Sequence, residues 1–260
     1  MTKICRFFLI NLMLFNLVSA AAATDTAKEK RWANQIVDGL MDGEPVWLKA
    51  GSHNFLAIDT PNSQGSAKKA IIVVHGIGVH PNWDQVIHPI RVEMTEKGWR
   101  TLSIQMPILP NEAESREYAP LFYSTPKRFK AAIEFLNSSG SEEIVIVAHS
   151  MGAAMSAFYL ANSADAKIKA FVAIGLNAAQ SHKQINAATS LRKIKIPVYE
   201  IYGSEDLPIV LETSRKRASA AKESGNIYSQ EVIKGANHFF DEHADLLITK
   251  VSDWLSTHGK

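Results

Sequence analysis

The segment IVAHSMGAA, residues 146–154, joins an apolar β-branched run to a run of small residues with high helix propensity. A buried strand followed at once by a helix predicts a sharp turn, and small neighbours let the backbone make it. The pattern is GxSxG with Ala148 in the first glycine position. It predicts that Ser150 is a nucleophile held on a strained turn. The alternative is a structural serine in an ordinary turn.

Outward from this segment, short apolar runs alternate with stretches of helical periodicity. The runs predicted to be strands cover residues 70–74, 101–104, 143–147, 168–174, 198–202 and 228–233. The stretches predicted to be helices cover residues 83–97, 126–137, 151–161, 208–223 and 241–256. Continuous Val/Ile strands that alternate with helices predict an α/β fold, with a mostly parallel central sheet and helices on both faces.

The first 23 residues have the layout of a secretory signal peptide. A positive head precedes an apolar run at 7–18, and small residues suited to cleavage follow at 19–23. A transmembrane helix needs about 20 predominantly apolar residues, whereas this run is shorter and carries Asn11 and Asn16. An uncleaved anchor is therefore the less favoured alternative. The sequence predicts a secreted or periplasmic protein without a stable membrane anchor.

The rest of the chain is predicted to hold an amphipathic helix and connector at 24–44 and one domain at 45–260, which opens with an antiparallel hairpin. Its 28 basic and 26 acidic residues are nearly balanced, which argues against a nucleic-acid partner because phosphate-binding surfaces concentrate Lys and Arg. The single cysteine, Cys5, lies in the leader. A mature chain without thiols excludes disulfides, thiolate metal sites and cysteine nucleophiles.

A serine of ordinary pKa needs a base, and the base needs an orienting acid. In a sheet of this kind the site lies at the carboxyl ends of the strands, and the chain order is Ser, acid, His. We therefore predict Asp206 as the acid, with the adjacent Glu205 as its rival, and His238 as the base. The alternatives are that the two carboxylates cap the helix beginning at Pro208 and that the histidine is satisfied by loop neighbours.

An oxyanion hole in such a sheet combines the N–H after the nucleophile with one from the loop after an earlier strand. Met151 supplies the first predicted donor. Ile77 is the second predicted donor, with Gly78 as the nearest alternative, because glycines in this loop let the backbone approach a substrate. His75 and His149 each precede a strained turn and are predicted to shape it rather than to transfer protons.

No metal or cofactor is predicted, because the chain lacks an HExxH motif, a GxGxxG motif and a phosphate-binding glycine loop followed by Lys. Only about twenty residues, 176–195, separate the strand after the nucleophile helix from the next strand. No large lid domain is therefore expected. The stretch 106–126 carries Tyr118, Phe122 and Tyr123, which are predicted to line an acyl pocket or, alternatively, to seat their own loop.

The motifs HGIG (75–78), AHSMG (148–152), GSED (203–206) and GANHFF (235–240) follow one another on alternating strands. In this order they resemble the α/β-hydrolase superfamily, from about residue 45 to the C-terminus. The stretch at 75–107 is similar to a little-characterised group of secreted bacterial proteins within it. The resemblance implies the fold and the catalytic residues but no particular substrate.

These inferences together predict a secreted serine hydrolase that cleaves a small-molecule carboxylic ester or thioester through an acyl-enzyme. The alternative is a non-catalytic binding or envelope-assembly protein on the same scaffold, since folds host many functions.

Overall fold

The computed structural model of the chain describes residues 24–65, 68–163, 167–176, 182 and 186–259. The predicted signal peptide, residues 1–23, lies outside the described residues. None of the helices in the described ranges combines the length and the apolar character that crossing a bilayer requires.

One sheet runs through the described part of the chain. Its strands are β1 (Glu44–Ala50), β2 (His53–Thr60), β3 (Lys69–Val74), β4 (Arg100–Ile104), β5 (Glu143–His149), β6 (Ile168–Ile174), β7 (Val198–Glu205) and β8 (Tyr228–Asn237). Their order across the sheet is β1-β2-β4-β3-β5-β6-β7-β8. The β1–β2 and β2–β4 pairs are antiparallel, and the remaining neighbours are parallel. The predicted mostly parallel sheet with an opening antiparallel hairpin is confirmed.

Helices cover both faces of this sheet. They are α1 (Thr26–Asp38), α2 (Ile87–Glu96), α3 (Thr125–Ser138), α4 (Met151–Asn162), α5 (Ala187–Leu191), α6 (Pro208–Glu223) and α7 (Ala244–His258). Alternate residues of β5 enter opposite core clusters: Ile146 packs in the cluster with α3 and α4, and Val147 packs in the cluster with α2 and α7. Strands buried on both faces are the reason that these segments read as continuous apolar runs.

The helix α1 packs on the hairpin through a smaller apolar cluster. Ala33 and Ile36 of α1 contact Leu56 and Ile58 of β2. The neighbouring β2 residue, Phe55, belongs to the core on the other face, because side chains alternate along a strand. The amphipathic pattern of the N-terminal helix therefore corresponds to a helix docked on the sheet.

The stretch 106–126, treated in the sequence as a loop, contains a 3-10 helix, Ser115–Tyr123. Its start is stabilised by a capping box, in which the Glu114 N–H donates to the Glu117 carboxylate at 2.7 Å. This signal is short and lies among prolines, so apolar periodicity alone does not detect it. The helix determines where the aromatic side chains of this stretch point.

Candidate active site

The predicted nucleophile lies between the end of β5 and the first residue of α4. Ser150 has a φ of 54° and a ψ of −123°, which is a strained conformation for a residue with a Cβ. Its N–H donates to the Ile174 carbonyl at 2.9 Å, and its carbonyl accepts from Ala153 at 3.0 Å. These bonds hold the turn in place, so Ser150 is fixed where the strand meets the helix.

The small residues around Ser150 are required by close packing. A Cβ added to Gly152 would lie 2.2 Å from the His75 carbonyl oxygen, a distance that only a displacement of the backbone could relieve. The first turn of α4 therefore packs directly against the main chain at the end of β3. This contact brings the turn that carries Ser150 next to the loop that carries Ile77.

Ser150, His238 and Asp206 form one hydrogen-bonded chain. The Ser150 Oγ lies 2.9 Å from the His238 Nε2, and the His238 Nδ1 lies 2.6 Å from the Asp206 Oδ1. Their residues are 4%, 6% and 5% exposed. Asp206 and His238 directly follow β7 and β8, so the carboxyl ends of three parallel strands bring together side chains far apart in sequence.

The two rival carboxylates differ in position. Asp206 is buried and also accepts from the Leu207 N–H at 2.7 Å, whereas Glu205 is exposed and pairs with Asn237 along the strand. The helix α6 begins with Leu207 as its N-cap residue and has no side-chain cap. The geometry therefore places Asp206, and not Glu205, against the histidine.

The predicted oxyanion donors lie on the two connections that Gly152 brings into contact. Among the described residues, neither the Ile77 N–H nor the Met151 N–H has a hydrogen-bond acceptor. The alternative donor, Gly78, has its backbone next to the Tyr118 hydroxyl, which also accepts from the Leu109 N–H at 3.0 Å. In the described part of the chain, the Ile77 and Met151 N–H groups are thus free to donate, one from each of the two connections.

Two buried histidines support the site without joining the hydrogen-bonded chain. The His149 Nε2–H donates to the His238 carbonyl at 2.9 Å, and the two rings lie 4.7 Å apart. The His75 Nδ1–H donates to the Gly76 carbonyl, and its Nε2 accepts from the Met106 N–H, both at 2.8 Å. Each bond fixes the tautomer of a ring that lies against a turn.

Burial keeps both of these imidazoles neutral. It lowers the pKa of His75 to about 3, against the smaller opposing effect of its bond to Gly76. Burial is also the main reason that the pKa of His149 is lowered to about 4, with the adjacent His238 ring as the second cause. Both rings are therefore weak bases, and the Nε2 of His75 is already engaged by the Met106 N–H.

We expect the fold to lose stability in mild acid because of these two rings. In the unfolded chain they take up protons below about pH 6.5, whereas in the folded state they do so only near pH 4 and pH 3. Their contribution is complete above pH 6.5 and is lost as the pH falls, by up to about 1.4 kcal/mol per pH unit for each ring. Urea unfolding at pH 7.5, 6 and 5 measures the slope.

The variant His149→Gln is the control for this slope. It removes one of the two titrating rings, so its stability should fall less steeply with decreasing pH than that of the wild type. Equal slopes in the two proteins would show that His149 is not a source of the acid sensitivity.

The three aromatic residues predicted to line an acyl pocket, or alternatively to seat their own loop, have different surroundings. Phe122 is fully buried in the core and packs edge-to-face on Phe158 at 5.6 Å, so its ring has no surface for a ligand. Tyr118 is buried against the Leu109 N–H, whereas Tyr123 is 64% exposed. The 3-10 helix sends the three side chains in different directions. In such a helix only residues three apart point the same way, and Tyr118, Phe122 and Tyr123 are not spaced in that manner.

Residues that the sequence did not single out complete the surroundings of the hydrogen-bonded chain. Gly175 follows β6 with a φ of 53°, and a Cβ there would lie 3.0 Å from the His238 ring. The apolar side chains of Leu207 and Phe239 are 41% and 38% exposed beside the acid and the base. The position after a strand end is the signal that could have identified all three residues.

A cavity of about 550 Å³ lies elsewhere, between α1 and the β1–β2 hairpin. Its lining includes Glu29, Trp47 and His53 but none of Ser150, Asp206 and His238. In the described ranges, no group of three or more His, Cys, Asp or Glu side chains is arranged to hold a metal ion.

Comparison with known proteins identifies relatives at two levels. The family model described as "Protein of unknown function (DUF3530)" matches residues 16–127 and 112–257. No curated protein sequence matches significantly.

Among solved structures, Est1E from Butyrivibrio proteoclasticus is 16% identical with a TM-score of 0.65, covering 82% of this chain and 97% of its own. Dienelactone hydrolase from Anabaena variabilis is 17% identical with a TM-score of 0.64, covering 84% and 98%. The Pyrococcus furiosus esterase Pf2001 is 16% identical with a TM-score of 0.65, covering 86% and 96%. The chain thus has the α/β-hydrolase fold, and it belongs to the protein family of unknown function DUF3530.

Proposed function

We propose that the chain is a serine hydrolase that cleaves a small-molecule carboxylic ester or thioester through an acyl-enzyme intermediate. The observation that carries this proposal is the buried hydrogen-bonded chain from Ser150 through His238 to Asp206, with the serine on a strained turn. A nucleophile, a base and an orienting carboxylate in this order are the requirements for activating a hydroxyl. The similarity in fold to proteins named esterases supports the same class of reaction.

In the first half-reaction, Ser150 Oγ attacks the carbonyl carbon while His238 Nε2 takes its proton. Asp206 holds the Nδ1–H of the ring, and so keeps Nε2 free to accept the proton. The carbonyl oxygen becomes an oxyanion that receives hydrogen bonds from the N–H groups of Ile77 and Met151. The positive end of α4 points at the same place and favours the developing negative charge.

The intermediate collapses when His238 returns the proton to the leaving alcohol or thiol, and the acyl group remains on Ser150. In the second half-reaction, a water molecule loses its proton to His238 and attacks the acyl carbon. The second tetrahedral intermediate releases the carboxylic acid, and the proton returns to Ser150 Oγ. Each proton therefore passes through the one ring that contacts both Ser150 and Asp206.

Hydrolysis of short p-nitrophenyl esters, together with labelling by a fluorophosphonate probe, tests the proposal. The purified protein should release nitrophenol, and the probe should attach to the peptide that contains Ser150. Heat-denatured protein is the control, since labelling depends on the folded triad. A folded protein that shows neither turnover nor labelling would refute hydrolysis and would favour a binding role on the same scaffold.

We also propose that the chain is exported, on the basis of the leader pattern at 1–23. The mature protein would begin between residues 21 and 25 and would comprise the N-terminal helix and connector followed by the hydrolase domain. N-terminal sequencing of the exported protein tests this, and a start at Met1 in the membrane fraction would contradict it.

A further inference from the structure

The helix α1 contacts the loops that form the proposed site, although it contributes no residue to the triad. Its Trp32 ring lies edge-on to His80 with the ring centres 5.5 Å apart. His80 belongs to the same loop as Ile77, and its other side faces Trp83 at 5.4 Å. The N-terminal helix therefore contacts the far end of residues 75–80, the oxyanion loop, through an aromatic pair.

A second connection starts at the first turn of α1. The Lys28 Nζ is buried and donates to the Leu109 carbonyl at 2.9 Å and to the Asn111 side chain at 2.6 Å. The Leu109 N–H in turn donates to the Tyr118 hydroxyl, which interacts with the backbone of Gly78. Lys28 is thus linked to the residue that follows the proposed donor Ile77.

A third connection is an ion pair that is almost completely buried. Arg128 donates to both carboxylate oxygens of Glu29, at 2.7 and 3.1 Å, and the two side chains are 3% and 4% exposed. Arg128 also donates to the Gln105 carbonyl at 2.7 Å. The side chain of Gln105 lies 3.0 Å from His75 Nε2. Glu29 is thereby connected to the residue that begins the oxyanion loop.

A buried ion pair is not by itself evidence of stabilisation, because the cost of desolvating the two charges often offsets the attraction between them. Here the pair fixes the orientation of Arg128 below the Gln105 carbonyl, where β4 ends beside β3. Gln105 and the following Met106 N–H then hold the His75 ring, whose other nitrogen binds the Gly76 carbonyl. The loop is held at three points, and all three lead to α1.

We propose that α1 is a positioning element for the oxyanion hole, with Glu29 and Lys28 as its positioning residues. They hold the loop so that the Ile77 N–H points to where the oxyanion forms. This inference rests on the proposed function, because it assigns the residues that align one of its donors. A displacement of about 1 Å at such a donor can cost on the order of 10²-fold in rate.

The decisive variant is Glu29→Gln, which keeps the size of the side chain and removes the charge that Arg128 faces. Fluorophosphonate titration counts the functional sites, so that kcat is expressed per folded active molecule. We expect kcat per site to fall by about 10- to 100-fold while KM changes by less than about threefold, because the contact matters for the transition state. Deuterium uptake at residues 75–80 should rise in parallel.

Asp59→Asn is the matched control. Arg100 donates to both oxygens of Asp59 at 2.7 Å, and the two side chains are 11% and 13% exposed. This pair lies at the start of β4, at the opposite end of the sheet from Ser150. Asp59→Asn should lower the melting temperature but leave kcat per site within about twofold of wild type, with unchanged deuterium uptake at 75–80.

Lys28→Met serves if Glu29→Gln does not fold, since it retains the length and apolar stem of the side chain and tests the second connection. The inference is overturned if folded Glu29→Gln or Lys28→Met behaves like Asp59→Asn in both kcat per site and deuterium uptake. Failure of the proposed function looks different, because the wild type itself would then lack turnover and labelling. The deuterium measurement would still show whether α1 holds the loop.

Discussion

Ser150→Ala is expected to abolish ester turnover while leaving the fold and the melting temperature nearly unchanged. The substitution removes only the Oγ, whose bond to His238 Nε2 is 2.9 Å long, and it keeps the Cβ that the strained turn already accommodates. Losses of about 10⁴ to 10⁶ in kcat are typical when a triad nucleophile is removed. Steady-state kinetics and thermal unfolding on the same preparation measure both quantities.

His238→Ala and the double variant are the companions to this experiment. The proton transfer is one step shared by both residues, so the single variants should lose similar amounts and the double variant little more. Losses that add would contradict a shared step. Retained fluorophosphonate labelling in Ser150→Ala would show that another residue is the nucleophile.

Asp206→Asn is expected to lower kcat by about 10⁴, as loss of the orienting carboxylate does in serine triads generally. The amide cannot accept the His238 Nδ1–H through its nitrogen, and it favours the wrong tautomer of the ring. The hydrogen bond at stake is 2.6 Å long and almost fully buried. Kinetics with a short p-nitrophenyl ester measure the effect.

Glu205→Gln is the neighbouring control, since it makes the same change of carboxylate to amide one residue earlier. Glu205 is exposed at the end of β7, so its substitution should change kcat by less than about tenfold. The reverse ranking would assign the orienting role to Glu205. Two small effects would mean that the carboxylate is supplied by another strand.

The sequence predicted the sheet and the three members of the hydrogen-bonded chain because both depend on local signals. Apolar runs of strand length identify the parallel strands, and the residues that follow them must meet at one edge. Ser150, Asp206 and His238 each follow a strand end, so their proximity could be anticipated without knowing any side-chain contact.

The parts that the sequence missed depend on contacts between distant segments. Phe122 was predicted either to line an acyl pocket or to seat its own loop, and it is fully buried beside Phe158 because a 3-10 helix turns it into the core. The role of Gly175 becomes visible only when His238 approaches it from another strand. Likewise, the sequence shows Glu29 only as one charged residue on an amphipathic helix, and its ion pair with Arg128 is visible only in the structure.

The contact between Gly152 and the His75 carbonyl has a consequence for substrate selection. It joins two connections of the sheet through main chain alone, with no side-chain rotamer between them that could adapt. This main-chain contact therefore constrains the spacing of the Ile77 and Met151 N–H groups, which lie on the two connections. In the proposed reaction, long and short acyl groups would present their carbonyl oxygen to the same pair of donors. In that reaction, discrimination among substrates would depend on the exposed side chains around the site, such as Leu207 and Phe239, which are separate from the groups proposed to carry out the chemistry.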